Sequence, residues 1–211
     1  MIVVFGTANS GKLTDVKNLI NDSSIDIRSL YDIGVQPPDV VENGETFEEN
    51  ALIKYDTLRP LVPDKYVLVT EDSGLGIDVL NGEPGVHSRR WNRDGREMTD
   101  DEIIKKTLKL MKGKKDRIAR FVSVVAFGGN AIPRQTMRGE LIGTLLEQPD
   151  PKGMINGLPY RSLFYVPQLR KMLYEIHEIP LDQRLNFPTH REQAWLKLIK
   201  KVKQREYLTL R

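Results

Sequence analysis

Residues 1–12 of this 211-residue chain have the sequence MIVVFGTANSGK, and this stretch decides the fold class. The apolar, β-branched run at residues 2–5 predicts a short strand that ends at Gly6. Apolar residues then recur at helical spacing from Leu13 to Ile20, which predicts a loop followed by a helix. A chain that begins with a strand, a loop and a helix is typical of an α/β protein.

The rest of the chain predicts a mixed α/β fold with an elongated, twisted central sheet flanked by helices. Helices are expected at residues 100–111 and after two capping boxes, Thr46 with Glu49 and Thr189 with Glu192. The further strands are expected at residues 25–30, 66–70, 118–127, 137–146 and 163–166. Because no repeat or linker interrupts the chain, we expect one domain over residues 1–211, made of two lobes with a ligand cleft between them.

Composition excludes several classes of protein. Hydrophobic residues make up 39% and charged residues 29% of the chain, which is too apolar for a disordered tail. The longest apolar runs fall far below the roughly 18 residues of a membrane span. No cysteine is present, so disulfides, thiol nucleophiles and cysteine zinc sites are excluded, and a cytoplasmic location is the simplest expectation. A net charge of +3 predicts no dedicated nucleic-acid surface.

The loop from Gly6 to Lys12 has the composition of a phosphate-binding loop. Small residues, several backbone N–H groups and a lysine stand where a helix begins, and helix N-termini attract anions. The loop fits the pattern GxxxxGK, but Leu13 follows where a P-loop NTPase needs Ser or Thr for its Mg²⁺. An ordinary strand-to-helix turn with an exposed lysine is the alternative.

Three carboxylates, Glu42, Glu71 and Asp72, form a candidate site for Mg²⁺ and for water activation. The last two are expected at the carboxyl end of a strand, where neighbouring side chains point to opposite sides and so have different roles. Magnesium is usually held by one or two carboxylates together with substrate phosphates. An acidic turn is the alternative, and Lys54 taken alone would be a solvated surface residue.

His190 and Arg191 lie in the predicted first turn of the last helix, after Thr189. Such a position favours anions and carbonyl oxygens, although charged residues there are often only surface residues. No pair of histidines has metal-ligand spacing, and no serine lies in a GxSxG motif.

Six ordered stretches resemble the inosine-triphosphate pyrophosphatase family over nearly the whole chain. They are TANSGK, ENGETFEENALIK, EDSGLGIDVLNGEPGVHSRRW, ARFVSVVAF, the glycine pair Gly139 and Gly143, and THREQA. The resemblance implies a homodimeric, Mg²⁺-dependent enzyme with an elongated sheet. It also implies a reaction in which a non-standard purine triphosphate, such as ITP, dITP or XTP, is split into the monophosphate and pyrophosphate.

The same resemblance assigns a role to each matching residue. Asp72 would activate the attacking water, and Glu42 and Glu71 would join it in organising Mg²⁺. His190 and Arg191 would close the base pocket, which Leu158, Tyr160 and Arg161 would line. The triphosphate would be held by Thr7, Asn9, Lys12, Lys54, Ser73 and Gly74.

The chain departs from the family pattern in the base-reading segment. The family has GFGYDP where residues 157–162 are GLPYRS, so Leu158 replaces a stacking aromatic residue and Arg161 replaces an aspartate. An expected lysine is replaced by Leu185, with Arg184 beside it as a possible substitute. Altered specificity, weak activity and a nucleotide-binding protein without turnover all stay open, and a P-loop-type NTPase is a further alternative.

The homodimer that the resemblance implies has one candidate interface residue, Trp91. It is flanked by arginines, and aromatic residues and arginine are common at interface hot spots. The alternative is an indole folded back on its own core.

Overall fold

The computed structural model describes residues 1–20, 22–92, 94, 96–129, 131–184 and 187–209, without the side chains of residues 181, 184 and 205–209. In this part of the chain one mixed sheet contains eight strands, in the order β2-β1-β3-β5-β6-β7-β8, with β4 paired to β3. The strands are β1 (Ile2–Phe5), β2 (Asp26–Ser29), β3 (Val67–Ile77), β4 (Pro84–Gly85), β5 (Ile118–Gly129), β6 (Ile132–Leu145), β7 (Phe164–Val166) and β8 (Lys171–Met172).

Helices accompany this sheet, as the predicted mixed α/β class requires. They are α1 (Ser10–Leu19), α2 (Phe47–Leu58), α3 (Asp100–Leu110), α4 (Leu173–Glu178), α5 (Leu181–Arg184) and α6 (His190–Thr209). None of the helices in the described residues is both long enough and apolar enough to cross a membrane. The chain divides into two compact units. The first unit contains Met1–Ser73, Ser123–Gly139 and Thr189–Arg211, and the second contains Gly74–Val122 and Glu140–Pro188.

In the first unit, β1 runs parallel to both of its neighbours. Val3 pairs with Ile27 of β2 and with Val67 of β3. The core beneath these strands includes the fully buried ring of Trp195, which meets Phe5 edge to face at a centroid distance of 4.9 Å. Helix α6 buries its inner face through Ala194, Leu198 and Val202, as the sequence predicts. These contacts fix the frame on which the charged side chains described below are placed.

In the second unit, β7 pairs antiparallel with β6 and β8, and a hydrophobic core packs against these strands. Phe121 meets Phe164 at 4.8 Å and Tyr160 at 6.3 Å, both edge to face. Trp91 belongs to this core, is only 4% exposed, and donates from Nε1 to the Glu83 carboxylate at 2.9 Å. The expectation that Trp91 is an exposed interface residue is therefore wrong, and its folded-back alternative is confirmed.

Several predicted boundaries need correction. Strand β3 does not end near Thr70 but continues to Ile77, because its second half pairs with β4 through Leu75 and Gly76. Strand β6 begins at Ile132, before the predicted residue 137. Helices α4 and α5 and strand β8 were not predicted, since residues 171–184 carry no strong period. The helix starts after Thr46 and Thr189 are confirmed.

Candidate functional site

The loop after β1 forms a capped entry to α1. Asn9 is the N-cap residue: its side-chain oxygen accepts from the Lys12 backbone N–H at 3.1 Å, and its own N–H donates to Thr7 Oγ1 at 3.1 Å. Gly6 is buried and donates to the Val69 carbonyl at 2.7 Å, so the loop starts from a fixed point on β3. The positive end of the helix dipole and the Lys12 ammonium thus lie together, an arrangement that attracts anions.

Glu71 lies in the middle of β3, where its side chain is fully buried among cationic and N–H groups. Lys12 Nζ lies 3.3 Å from one of its oxygens, Arg191 Nε donates to both at 3.1 and 3.2 Å, and Trp195 Nε1 donates at 3.3 Å. Burial by itself raises the pKa of Glu71, but Arg191, Lys12 and the Trp195 hydrogen bond outweigh it and lower the pKa to about 2. The buried carboxylate is therefore ionised at neutral pH.

Burial has the opposite consequence for Lys12. It disfavours the ammonium and lowers the pKa of Lys12, an effect that Glu71 opposes and that Arg191 and Lys54 reinforce. Desolvation is the largest of these effects, so an anion that bound beside Lys12 would favour its charged form.

Asp72 faces a second set of partners. Its carboxylate accepts from Lys54 Nζ at 3.2 Å and from Asn50 Nδ2 at 3.2 Å, while Lys54 also lies 2.7 Å from a Glu42 oxygen. Lys54 Nζ donates in addition to the Glu71 carbonyl at 3.1 Å. The two neighbouring acidic side chains therefore contact different cations, in agreement with the alternation expected on a strand.

The first turn of α6 brings Arg191 to Glu71. Besides Glu71, the Arg191 guanidinium binds Asp15 of α1 at 3.1 Å, and only 13% of its side chain is exposed. The start of α6 packs closely against Gly139 of β6, since a Cβ built on this glycine would lie 1.9 Å from the His190 carbonyl oxygen. His190 itself is buried. In this structure Arg191 is thus part of the buried charge network.

Three residues of this network were not among the predicted site residues: Asp15, Asn50 and Trp195. A sequence signal existed for two of them. Asp15 follows Lys12 by three positions, and Asn50 precedes Lys54 by four, so each shares a helix face with a predicted lysine. Asn50 is only 2% exposed and also accepts from the Gly44 N–H at 2.8 Å, which ties the Glu42 loop to α2.

Other predicted residues lie outside this network. Ser73 and Gly74 continue β3 beyond Asp72 and are half-buried. Leu158, Tyr160 and Arg161 belong to the second unit, where Leu158 is 37% exposed. The Tyr160 ring lies in the hydrophobic core, and burial raises the pKa of its hydroxyl, so packing is the role that this structure gives it. Leu185 lies outside the described residues, as does the side chain of Arg184.

The donor set fits a divalent cation only with help from a ligand. No group of three or more His, Cys, Asp or Glu side chains in the described residues is arranged to hold a metal by itself. Glu42 and Asp72 nevertheless converge on one cationic atom, Lys54 Nζ, at 2.7 and 3.2 Å. Two carboxylates completed by phosphate oxygens are a usual environment for Mg²⁺.

Fold and site together define a mixed α/β protein that pairs two lysines with buried carboxylates beside a capped helix N-terminus. The model of the Ham1 family matches residues 3–201, and the chain belongs to that family. The resemblance deduced from the sequence is thus confirmed.

Similar proteins agree with this assignment. The dITP/XTP pyrophosphatase of Bacillus licheniformis is 35% identical over 198 residues, covering 93% of this chain and 95% of that protein. The dITP/XTP pyrophosphatase of Bacillus subtilis is 33% identical over 199 residues, covering 93% and 94%. Among solved structures, the Staphylococcus aureus Ham1 protein superposes with a TM-score of 0.76 at 28% identity, covering 98% of this chain and all of that one. A Coxiella burnetii HAM1 protein does so with a TM-score of 0.76 at 30% identity, covering 97% and 99%.

Proposed function

We propose that this chain is a nucleoside-triphosphate pyrophosphatase that converts non-standard purine triphosphates, such as dITP, XTP and ITP, to the monophosphate and pyrophosphate. The observation that carries the proposal is the arrangement of Lys12 and Lys54, each held by a carboxylate of the adjacent pair Glu71 and Asp72. The names of the similar proteins support the substrate class.

The chemistry follows from the charge of the substrate. A triphosphate is a polyanion, so its hydrolysis depends mainly on positioning and charge neutralisation. We assign triphosphate binding to Thr7, Asn9, Lys12, Lys54, Ser73 and Gly74. Asp72 would accept a proton from the attacking water as the bond between the α- and β-phosphates breaks and pyrophosphate leaves.

Magnesium is part of this proposal. Glu42 and Asp72 would hold Mg²⁺ together with substrate oxygens, and the bound ion would supply Lewis-acid stabilisation of the phosphate charge. Glu71 would bind the ion only if it exchanged one of its present partners. In its present contacts Glu71 instead orients the Lys12 ammonium.

Following the resemblance, base recognition is assigned to Leu158, Tyr160, Arg161, His190 and Arg191. Of these, Tyr160 and Arg191 would contact a base only if they left their present partners, the hydrophobic core and the Glu71 carboxylate. The replacements at Leu158 and Arg161 favour one second candidate, a family member that binds nucleotide with little or no turnover. A P-loop NTPase gains no support, because the family match extends over residues 3–201. The homodimer and the cytoplasmic location stay predictions.

One assay tests the proposal. ITP, XTP, GTP and ATP are each incubated with the protein and Mg²⁺, and pyrophosphate and orthophosphate are both measured. We expect pyrophosphate from the 6-keto purines. Orthophosphate as the product, or binding without turnover, would contradict the proposed reaction.

A pair of variants tests the role of Asp72. Asp72→Asn should lower kcat by about 10²–10⁴, as loss of a general base does, while nucleotide affinity measured without Mg²⁺ is retained. The matched control is Asp56→Asn on α2, which removes only an exposed ion pair with Arg134. Unchanged turnover in Asp72→Asn would end the assignment of Asp72.

A further inference from the structure

The segment that carries Leu158 is held at one glycine by two charged side chains. The Gly157 N–H donates to Asp100 Oδ2 at 2.6 Å, and the Gly157 carbonyl accepts from Arg89 at 2.7 Å. Arg89 and Asp100 also bind each other at 2.5 Å. The N–H and the carbonyl of Gly157 are thus both bound in a closed ring of three interactions, each of which involves a charged side chain. We call this set of contacts the charged ring.

Gly157 is suited to this arrangement because its φ is +81°, in the left-handed region that favours glycine. It lies within a tight turn, since the Leu158 N–H donates to the Ile155 carbonyl at 3.0 Å. The chain then enters a short 3₁₀ helix at Pro159–Ser162. The conformation of Gly157 therefore sets the direction from which Leu158 leaves the turn.

The two charged residues are themselves on fixed backbone. The Arg89 carbonyl accepts from the N–H of buried Met98 at 2.8 Å. Asp100 is the first residue of α3, directly after the N-cap Thr99, which forms a capping box with Glu102. Gly157 is therefore held by two side chains whose own backbone is fixed by hydrogen bonds within the second unit.

Packing alone does not fix this segment. A cavity of about 130 Å³ lies where the segment passes α3, and Met154 and Ile155 beside it are 50% and 39% exposed. Its lining residues are Asp100, Ile104, Met154, Ile155, Asn156 and Pro159. Tyr160 anchors the far end of the segment in the core, while the near end has the charged ring. The position of Leu158, between these two anchors, depends on both.

We propose that Arg89 and Asp100 are positioning residues for base recognition: by holding Gly157 they set where Leu158 lies against the purine. This inference rests on the proposed function, since it names the residues that place one of its base-reading side chains. Neither residue is among the proposed phosphate-binding or catalytic residues, so they would act on base affinity and not on the chemical step.

The test compares a ligand that has a base with one that has none. Arg89→Ala and Asp100→Ala should each raise KM for ITP by about tenfold, the loss expected for a charge-assisted hydrogen bond, with kcat unchanged. The inhibition constant of inorganic tripolyphosphate, which carries no purine, should not change. Hydrogen exchange should become faster in residues 154–161. Asp101→Ala is the matched control, because Asp101 is the next residue of α3 and pairs only with the exposed Lys105 among the contacts described.

A conservative variant separates positioning from folding. Asp100→Asn keeps an oxygen that can accept from the Gly157 N–H but loses the charge that pairs with Arg89. Its KM for ITP should therefore lie between those of the native protein and Asp100→Ala.

Three results would overturn the inference. If KM for ITP is unchanged while residues 154–161 exchange faster, the ring of contacts is structural only. If the inhibition constant of tripolyphosphate rises as much as the KM for ITP, the variants damage the protein generally. If the native protein releases no pyrophosphate from any triphosphate, the proposed function itself fails, and this is seen before any variant is made.

Discussion

Replacing Glu71 with glutamine removes a negative charge that lies between two cations. In the native protein the carboxylate is fully buried and contacts Lys12 and Arg191 within 3.3 Å. Its pKa is lowered from 4.5 to about 2, which corresponds to about 3 kcal/mol of stability at neutral pH. Loss of one partner from a buried ion pair costs a similar amount, about 3–5 kcal/mol. We therefore expect Glu71→Gln to lower the free energy of unfolding by about 3 kcal/mol at pH 7.

The pH dependence gives a sharper result. Because the folded-state pKa of Glu71 is depressed, its contribution is complete well above pH 4.5 and is lost as the pH falls towards 2. Between pH 4.5 and pH 2, residue 71 is protonated in the unfolded state but largely ionised in the folded state. The difference between native protein and Glu71→Gln should shrink by about 1 kcal/mol at pH 4 and by about 2 kcal/mol at pH 3.

Urea unfolding at several pH values measures both effects, with the m-value checked for constancy. Asp56→Asn is the control, because this exposed pair with Arg134 should contribute no more than about 1 kcal/mol. A Glu71→Gln difference below about 1 kcal/mol at pH 7, or one that stays constant down to pH 3, would refute the attribution of stability to the ionised carboxylate.

Three further changes give measurable outcomes. Lys12→Ala should weaken triphosphate binding by about 1.5–3 kcal/mol in calorimetry and leave inosine binding unchanged, and equal weakening of both would show that the loop is only structural. Gly139→Ala should cost about 1–3 kcal/mol in urea unfolding because the new Cβ would overlap the His190 carbonyl, and an unchanged midpoint would contradict that close approach. Leu158→Phe combined with Arg161→Asp should increase kcat/KM for ITP relative to GTP. A native protein that already prefers ITP by more than about a hundredfold would show that these positions do not set specificity.

Local signals predicted much of the fold. The capping box of Thr46 with Glu49 fixes the start of α2, and the box of Thr189 with Glu192 fixes that of α6, because both depend on residues three positions apart. The extension of β3 through residues 71–77 could not be predicted in this way. Two glycines in that stretch resemble a turn, whereas in the structure the stretch is extended and pairs with β4, a contact that no local pattern shows.

The partners of the site residues were harder to predict than the residues themselves. The acidic pair Glu71 and Asp72 stands out in the sequence, but Arg191 lies 120 positions beyond Glu71. No local pattern shows that this arginine binds Glu71 rather than a base. Trp195 was missed for the same reason, since its indole nitrogen finds Glu71 only after α6 docks.

The docking of α6 also bears on when the site forms during synthesis. Arg191 joins Asp15 across 176 positions, and Lys203 joins Asp22 across 181, so the beginning and the end of the chain meet in the first unit. Contacts between such distant positions form late in folding and pay a large entropy of loop closure. A nascent chain whose α6 has not yet left the ribosome therefore has the Lys12–Glu71 contact but lacks Arg191, the cation that joins Glu71 to Asp15 of α1. Catalytic competence should therefore appear only after α6 has left the ribosome and docked. A nascent chain without α6 should bind nucleotide poorly even when its earlier segments have folded.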